Sequence, residues 1–352
     1  MTSPGQRGNE SNDGTILVTG GAGYIGAHVT HALAASGRPV AVLDDLSTGT
    51  ADRLPDGVPL VEGDVGDAEI VAKALADLDV TSVIHIAAKK QVGESVARPL
   101  WYYRQNVTAM ATLLECCVGA GVGRFLFSSS AATYGMATGG LIDEDTPAQP
   151  INPYGESKLI GEWMLADVAR AEGLSYAALR YFNVAGAAVP ELGDPGAFNL
   201  IPMVFDALTR GDRPRIFGDD WHTPDGTCIR DYVHIADLAD AHICALDSLA
   251  PGSTAGAGAP GEASADGLVL NVGTGQGSSV REVIDAIGRV LGAPLDVEVV
   301  ERRPGDPAAL VAKVDRISDV LGWSATRNLD DMVSSAWDGW VALHPEAASL
   351  AV

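Results

Sequence analysis

Residues 19–26 read TGGAGYIG, and the context of this stretch decides the fold. It closes a short apolar run, TILVTG (15–20), and opens YIGAHVTHALAASG (24–37), whose apolar residues recur at helical spacing up to Gly37. Gly20, Gly23 and Gly26 thus stand between a predicted strand and a predicted helix. Glycines in that setting permit a tight turn and let the backbone approach a pyrophosphate at the positive end of the helix. The next apolar run, PVAVLDD (39–45), brings Asp44 to a strand end, eighteen positions after Gly26. A carboxylate there bonds the adenosine ribose hydroxyls and repels a 2′-phosphate, so NAD is expected rather than NADP. Asp45 is the neighbouring alternative, and strand-end geometry favours Asp44. In EGDV (62–65), Asp64 ends a third strand, where a carboxylate can accept from an adenine amino group. The plain alternative for Asp64 is a polar residue that only closes the strand.

Outward from the fingerprint the alternation continues. VPLVEGD (58–64), TSVIHIAA (81–88), RFLFSSS (124–130) and SYAALRYFN (175–183) read as strands. Between them lie predicted helices at 67–78, about 100–120 and 153–172. Near-continuous apolar strands alternating with helices imply a parallel sheet covered on both faces, a Rossmann-type doubly wound α/β domain. From about residue 187 glycine and proline become frequent and the elements shorten. A length of 352 residues suits two coupled domains. The expected division is an NAD-binding domain over 14–186, rejoined by about 232–272 through a helix at 235–249 and the strand LVLNVGTG (268–275). A smaller C-terminal α/β substrate domain takes the remainder of 187–352, with helices near 279–291 and 329–343. Residues 1–13 read as a flexible polar N-terminus, and PGSTAGAGAPGEASADG (251–267) as a low-complexity surface loop.

The chain is 47% apolar and 20% charged, with a formal net charge of −23 and a pI near 4.5. That balance argues against general binding to nucleic acid or to an anionic membrane. It also means that any anionic ligand needs a local cluster of arginine or lysine. Cys116, Cys117, Cys228 and Cys244 form no C-x-x-C pair and sit in apolar contexts, as small core residues of a reducing cytoplasm would. The N-terminus lacks the apolar core of a secretory signal, and no apolar run approaches a membrane span. The seven histidines show no metal-ligand spacing with carboxylates or cysteines, so packing or surface roles are expected and no metal.

NPYGESK (152–158) sets Tyr154 and Lys158 four residues apart, on one face of a helix that Asn152 can cap and Pro153 can begin. Tyr at its ordinary pKa of about 10 is a poor base at neutral pH. A nearby ammonium and a positive nicotinamide ring both favour the phenolate, and Lys158 can supply the first while holding the nicotinamide ribose. A hydroxyl from FSSSAATYG (127–135) can orient a substrate oxygen; Ser128, Ser129 and Ser130 are all candidates.

With RYFNVAGA (180–187) added, these motifs resemble the extended short-chain dehydrogenase/reductase superfamily. More narrowly, HIAAKKQVGESV (85–96), NLIP (199–202), IFGDDWHTPDGTCIRDYVH (216–234) and RRPGD (302–306) resemble the UDP-glucose (UDP-galactose) 4-epimerase family, in order along nearly the whole chain. The resemblance implies Ser130, Tyr154 and Lys158 as the catalytic set. It implies cofactor contacts from Gly20, Gly23, Tyr24, Ile25, Gly26, Asp44, Asp64, Val65, Ala87, Lys90, Asn106, Ser128, Tyr154, Lys158 and Tyr181. For the UDP-sugar it implies Asn183, Asn199, Leu200, Arg230, Arg303 and Asp306, with Arg230 and Arg303 clamping the diphosphate, and Ser130 and Tyr154 meeting the hexose. Arg302 competes with Arg303, and only the family register separates them. The expected reaction is reversible C4 epimerisation of UDP-glucose and UDP-galactose through a 4-keto intermediate with bound NAD. A homodimer through the helices near 100–120 and 154–171 is implied as well.

Rival readings share the scaffold. The related 4,6-dehydratases carry Thr-Asp-Glu where this chain has Ser129-Ser130-Ala131, so dehydration is disfavoured. A uronate epimerase would need a cation for the C6 carboxylate, and the sequence places none. An NAD(H)-sensing protein without catalysis typically loses the Tyr or the Lys, and both are here. Leu310 matches the position that gates N-acetylated sugars and is intermediate in size, which leaves UDP-GlcNAc open.

Overall fold

The computed structural model describes residues 14–137, 140–249, 267–303 and 305–351. The N-terminus 1–13 and all but Gly267 of the 251–267 segment lie outside them. Seven strands make the main sheet: β1 (Thr15–Thr19), β2 (Val40–Asp44), β3 (Leu60–Glu62), β4 (Val80–His85), β5 (Arg124–Ser128), β6 (Ser175–Tyr181) and β7 (Leu268–Val272). Their spatial order is β3-β2-β1-β4-β5-β6-β7, and every pairing is parallel. The order reverses between β1 and β4, and such a switch point opens a crevice at the strand ends. β7 joins the sheet edge beside β6, as the apolar run at 268–275 predicts.

Apolar side chains alternate to both faces and build two cores. On one face α1 (Tyr24–Ala35) and α5 (Ile235–Ser248) pack through Val29, Leu33, Leu238 and Ala245. On the other, α2 (Ala68–Asp77), α3 (Ala109–Ala120) and α4 (Pro153–Glu172) contribute Val71, Leu113 and Leu165. Local chemistry sets the helix ends. The Asn152 side chain accepts from Gly155 N–H at 2.9 Å with Pro153 at the first turn, and Gly173 closes α4 in the left-handed conformation. The helix expected over about 100–120 runs from Pro99, but its turn Tyr103–Thr108 widens to a π-helix before α3. Hydrophobic periodicity cannot reveal such an insertion, and π turns concentrate at functional sites.

The second unit is built on Ile229–His234, which pairs with Asn183–Ala185, Gly277–Ser279 and Ala309–Ala312. Leu141–Ile142 crosses from the first half of the chain to extend this sheet beside Ala309–Ala312. Helices Leu200–Thr209, Val280–Leu291 and Leu329–Leu343 bury Phe205, Ile287 and Trp337 in a third core.

Candidate active site

The β1–α1 turn is built for close approach. Gly20 has φ +72°, and a Cβ there would stand 2.7 Å from the Ala87 nitrogen. At Gly26 a Cβ would lie 2.0 Å from the Gly20 carbonyl oxygen, so only glycine lets α1 pack this tightly on the turn. Gly23 starts α1 with extended backbone and no side-chain cap, which leaves the helix's first N–H groups directed at the crevice. Asp44 is buried; its Oδ2 accepts from Ala22 N–H and its Oδ1 from Leu46 N–H, each at 2.9 Å. Burial pushes its carboxyl pKa up, opposed by those two bonds. Asp44 therefore braces the glycine turn itself, a role its strand-end position alone does not disclose. Asp45 is tied instead to Ser47 and lies 3.6 Å from Lys89. Asp64 is exposed and accepts from Gly66 N–H at 2.8 Å, with Val65 buried beside it. Tyr24 donates to the Gly186 carbonyl at 2.5 Å, Ile25 packs against the first core, and the Ala87 N–H is spent on Thr19.

Across the crevice, α4 presents Tyr154 and Lys158 on successive turns, both buried. The Ser130 Oγ accepts from Ala132 N–H at 3.1 Å, and the hydroxyl acts on the Tyr154 phenol, favouring its ionised form. The lysine does not behave as the spacing suggests. Its Nζ donates to the Ser128 carbonyl at 2.8 Å, lies 4.9 Å from the Phe127 ring and 6.0 Å from that of Tyr154. Burial raises the Tyr154 phenol pKa, with the Ser130 hydroxyl pulling the other way. Burial also drives Lys158 down to about 7 against the pull of Glu162. In the protein alone, desolvation outweighs any ammonium effect on the phenol. Asn106, in the π turn, exchanges two 2.9 Å bonds with the Lys89 backbone and donates to Ser157 at 3.1 Å. It thereby clamps the segment carrying the exposed Lys90 against α4. Tyr181 and His242 both hydrogen-bond Ser128.

A cleft of about 810 Å³ in the second unit gathers Asn183, Asn199, Leu200, Arg230, Arg303 and Asp306 in its lining. Ser130, Tyr154 and Leu310 are outside that lining. Arg230 is fixed: it donates to the Ile229 and Pro307 carbonyls at 2.9 and 2.8 Å and lies 3.8 Å from Asp306. The Arg303 guanidinium is stacked 3.7 Å above the Phe217 ring. Arg302 faces elsewhere, bonded to Asp220 at 2.6 Å and stacked on Trp221. Asn183 stands in register with Tyr232 on the adjacent strand, and Asn199 immediately precedes the helix Leu200–Thr209. Leu310 is in register with Arg230 and packs on the cluster containing Ala131 and Phe182. Phe217 escapes sequence reasoning because an apolar residue in IFGDD reads as core. Glu162 escapes too, although its i+4 spacing from Lys158 is a signal.

The histidines take structural roles where they are buried. His28, His85 and His242 are each hydrogen-bonded, and burial lowers their pKa values to about 4, 3 and 4. Among the described residues no three His, Cys, Asp or Glu side chains group to hold a metal. No described helix is long and apolar enough to cross a membrane.

Comparison with known proteins gives a consistent picture. The profile of the NAD dependent epimerase/dehydratase family matches residues 16–257. The UDP-glucose 4-epimerase of Azospirillum brasilense is 48% identical over 327 residues, covering 91% of this chain and 90% of that protein. The crystal structure of UDP-glucose 4-epimerase from Brucella ovis in complex with NAD superposes with a TM-score of 0.85 at 41% identity, covering 93% of this chain and 98% of that one. The enzyme of the same name from Bifidobacterium longum, in complex with NAD+ and UDP, gives 0.84 at 35% identity, covering 95% and 99%.

Proposed function

The chain belongs to the NAD dependent epimerase/dehydratase family, and on that premise we propose that it interconverts UDP-glucose and UDP-galactose by reversible epimerisation at C4. The observation that carries the reading is one combination. The chain holds both a buried Ser130–Tyr154–Lys158 group, carried by the end of β5 and the first turns of α4, and an arginine-bearing cleft in the second unit that is large enough for a nucleotide diphosphate.

The β1–α1 turn fits NAD: its glycines exclude side chains, the α1 N–H groups are uncapped, and Asp44 stands at the end of β2. Gly20, Gly23 and Gly26 line the pyrophosphate path, with Tyr24, Ile25, Val65 and Ala87 around it. Asp44 and Asp64 take the adenosine end, and Lys90, Asn106, Ser128 and Tyr181 the nicotinamide side. When bound, NAD supplies the acceptor that takes hydride from C4 and gives it back to the opposite face. Tyr154 takes the proton of the C4 hydroxyl and returns it after the 4-ketose has turned over. Ser130 bridges the phenol and the sugar oxygen. Lys158, held by the Ser128 carbonyl, supplies positive charge beside a phenol whose burial otherwise favours the neutral form. Arg230 and Arg303 grip the diphosphate and Asp306 the uridine ribose, while Asn183, Asn199 and Leu200 line the nucleotide side. Residues 187–352 then serve chiefly to hold the UDP-sugar, and 14–186 with 232–272 to hold NAD.

The protein works as a homodimer in the cytoplasm. Leu100, Val96 and Trp163 are 72%, 62% and 59% exposed on the helical face that includes α4, an apolar surface suited to a second copy. The four cysteines are free thiols, as in a reducing compartment. The deciding assay offers purified protein UDP-galactose and, separately, UDP-GlcNAc with no added NAD. Turnover of UDP-galactose is expected; turnover of neither would sink the epimerase reading, and turnover of UDP-GlcNAc alone would shift it to the N-acetylated sugars that Leu310 leaves open.

A further inference from the structure

We propose that Glu162 is a positioning residue of this site, a buried counter-charge that favours the ammonium form of Lys158 against the effect of burial; the proposal rests on the epimerase reading. Glu162 follows Lys158 by one turn of α4 and is 5% exposed. Its Oε1 accepts from Ser129 Oγ at 2.5 Å and from Arg180 Nε at 2.9 Å, and its Oε2 accepts from Arg180 Nη2 at 2.5 Å. Ser129 lies between Ser128, whose carbonyl receives the lysine, and Ser130. Arg180, on β6, stacks 4.8 Å from the ring of Tyr134 in the turn that follows Ser130. One carboxylate therefore ties α4, β6 and the strand end that carries the serines.

A buried ion pair is costly to desolvate, and apolar side chains of equal volume often stabilise a core better. Its place beside Lys158 supplies the reason to keep it. The remaining groups facing the lysine offer no negative charge: the Phe127 ring and Ser128 carbonyl from β5, the Tyr154 phenol, and His85 from β4, which burial keeps neutral. Among the described residues Glu162 is the carboxylate that opposes the effect of burial on Lys158. Without it burial would act on the lysine unopposed, the proton would leave at lower pH, and the phenolate would lose its cationic support sooner.

The test is the pH profile of kcat for UDP-galactose with the NAD-loaded enzyme. Glu162→Gln keeps the shape and an acceptor for Ser129 but removes the charge. The alkaline limb should then move to lower pH by about one unit or more, so that kcat near pH 8.5 falls about tenfold, with KM within twofold of wild type. Glu162→Asp should move the limb back toward wild type, which a merely structural role would not require. Glu162→Gln strands Arg180 as a buried unpaired charge. If the single variant does not fold, Arg180→Gln decides the matter in the opposite sense: it removes the cation that offsets Glu162, so the alkaline limb should move to higher pH. An unmoved alkaline limb in a folded variant, with only the melting temperature lowered, overturns the proposal while leaving the epimerase reading intact. Absence of turnover by the wild-type enzyme would overturn both.

Discussion

Arg303 and Arg302 are adjacent and chemically identical, yet their surroundings predict opposite consequences of truncation. Arg303 lines the cleft, its guanidinium supported by the Phe217 ring at 3.7 Å, and among the described residues no carboxylate pairs with it. It is free to give its hydrogen bonds to a diphosphate. A charge-assisted bond of that kind contributes about 1.5–3 kcal/mol. Arg303→Ala should therefore raise KM for UDP-galactose about 10- to 100-fold and weaken competitive inhibition by UDP by the same factor. kcat should stay within about threefold, because Ser130, Tyr154 and Lys158 are untouched. The structural loss is one exposed cation–π contact, about 0.5–1 kcal/mol, or roughly 1–4 °C in melting temperature. Arg302→Ala should leave KM within about twofold, since Arg302 is already occupied by Asp220 and Trp221. Arg303→Lys should fall between, keeping the charge but losing the planar fork. Initial rates coupled to UDP-glucose oxidation, with UDP as inhibitor, measure all of this. An unchanged KM and UDP inhibition constant in Arg303→Ala, or the loss appearing at Arg302 instead, would refute the assignment.

Other expectations are independent of that one. Tyr154→Phe removes the phenol oxygen and should lower kcat about 10²- to 10⁴-fold while NAD content after acid release stays at the wild-type level; full activity would dismiss Tyr154 as the base. Gly26→Ala places a Cβ 2.0 Å from the Gly20 oxygen, so α1 must shift. It should cost about 1–3 kcal/mol and strip NAD from the purified protein, and a variant with wild-type NAD content would contradict the turn geometry. Stability should also fall on acidification between pH 6.5 and about 4. His28, His85, His234 and His242 have pKa values lowered by burial to about 4, 3, 4 and 4, so the unfolded chain binds up to four more protons in that window. The slope should approach about 5 kcal/mol per pH unit at most, read from urea midpoints at pH 5 and 7, and a flat response would mean that these histidines are not buried neutral.

Much of the fold was legible because its signals are local. Glycine spacing, Asp44 and the apolar runs suffice for β1, α1 and β2, and helix ends at Pro153, Gly173 and Ser279 follow from capping chemistry. What escaped depends on contacts distant in sequence. The π turn at Tyr103–Thr108 exists where Asn106 meets the Lys89 backbone, and no periodicity encodes that meeting. Leu141–Ile142 is too short to read as a strand until Ala309–Ala312 lies beside it. The i+4 spacing of Tyr154 and Lys158 correctly gives a shared face, but not the direction of the ammonium, which the Ser128 carbonyl sets. Arg302 and Arg303 are indistinguishable in RRPGD, and their partners Asp220 and Phe217 lie more than eighty positions earlier.

The arrangement also bears on how a protein of net charge −23 can hold a dianionic diphosphate and still let a sugar turn. Beyond about 8–10 Å the diffuse negative field is screened, so the nearest charges govern. Arg230 is preorganised by two backbone carbonyls and a carboxylate 3.8 Å away, and loses little freedom when it binds. Arg303 is held by an aromatic face that leaves its N–H groups unspent. Next to Ser130 the surroundings are apolar, with Leu310 against the Ala131 and Phe182 cluster, and they offer contact without hydrogen bonds. A hexose there meets few directional bonds apart from the Ser130 and Tyr154 hydroxyls. Rotation of the ketose then breaks little, while the nucleotide stays anchored. Enlarging the side chain at 310 should hinder that rotation more than it hinders binding, because the residue packs on the apolar cluster beside Ser130 and is outside the lining of the nucleotide cleft.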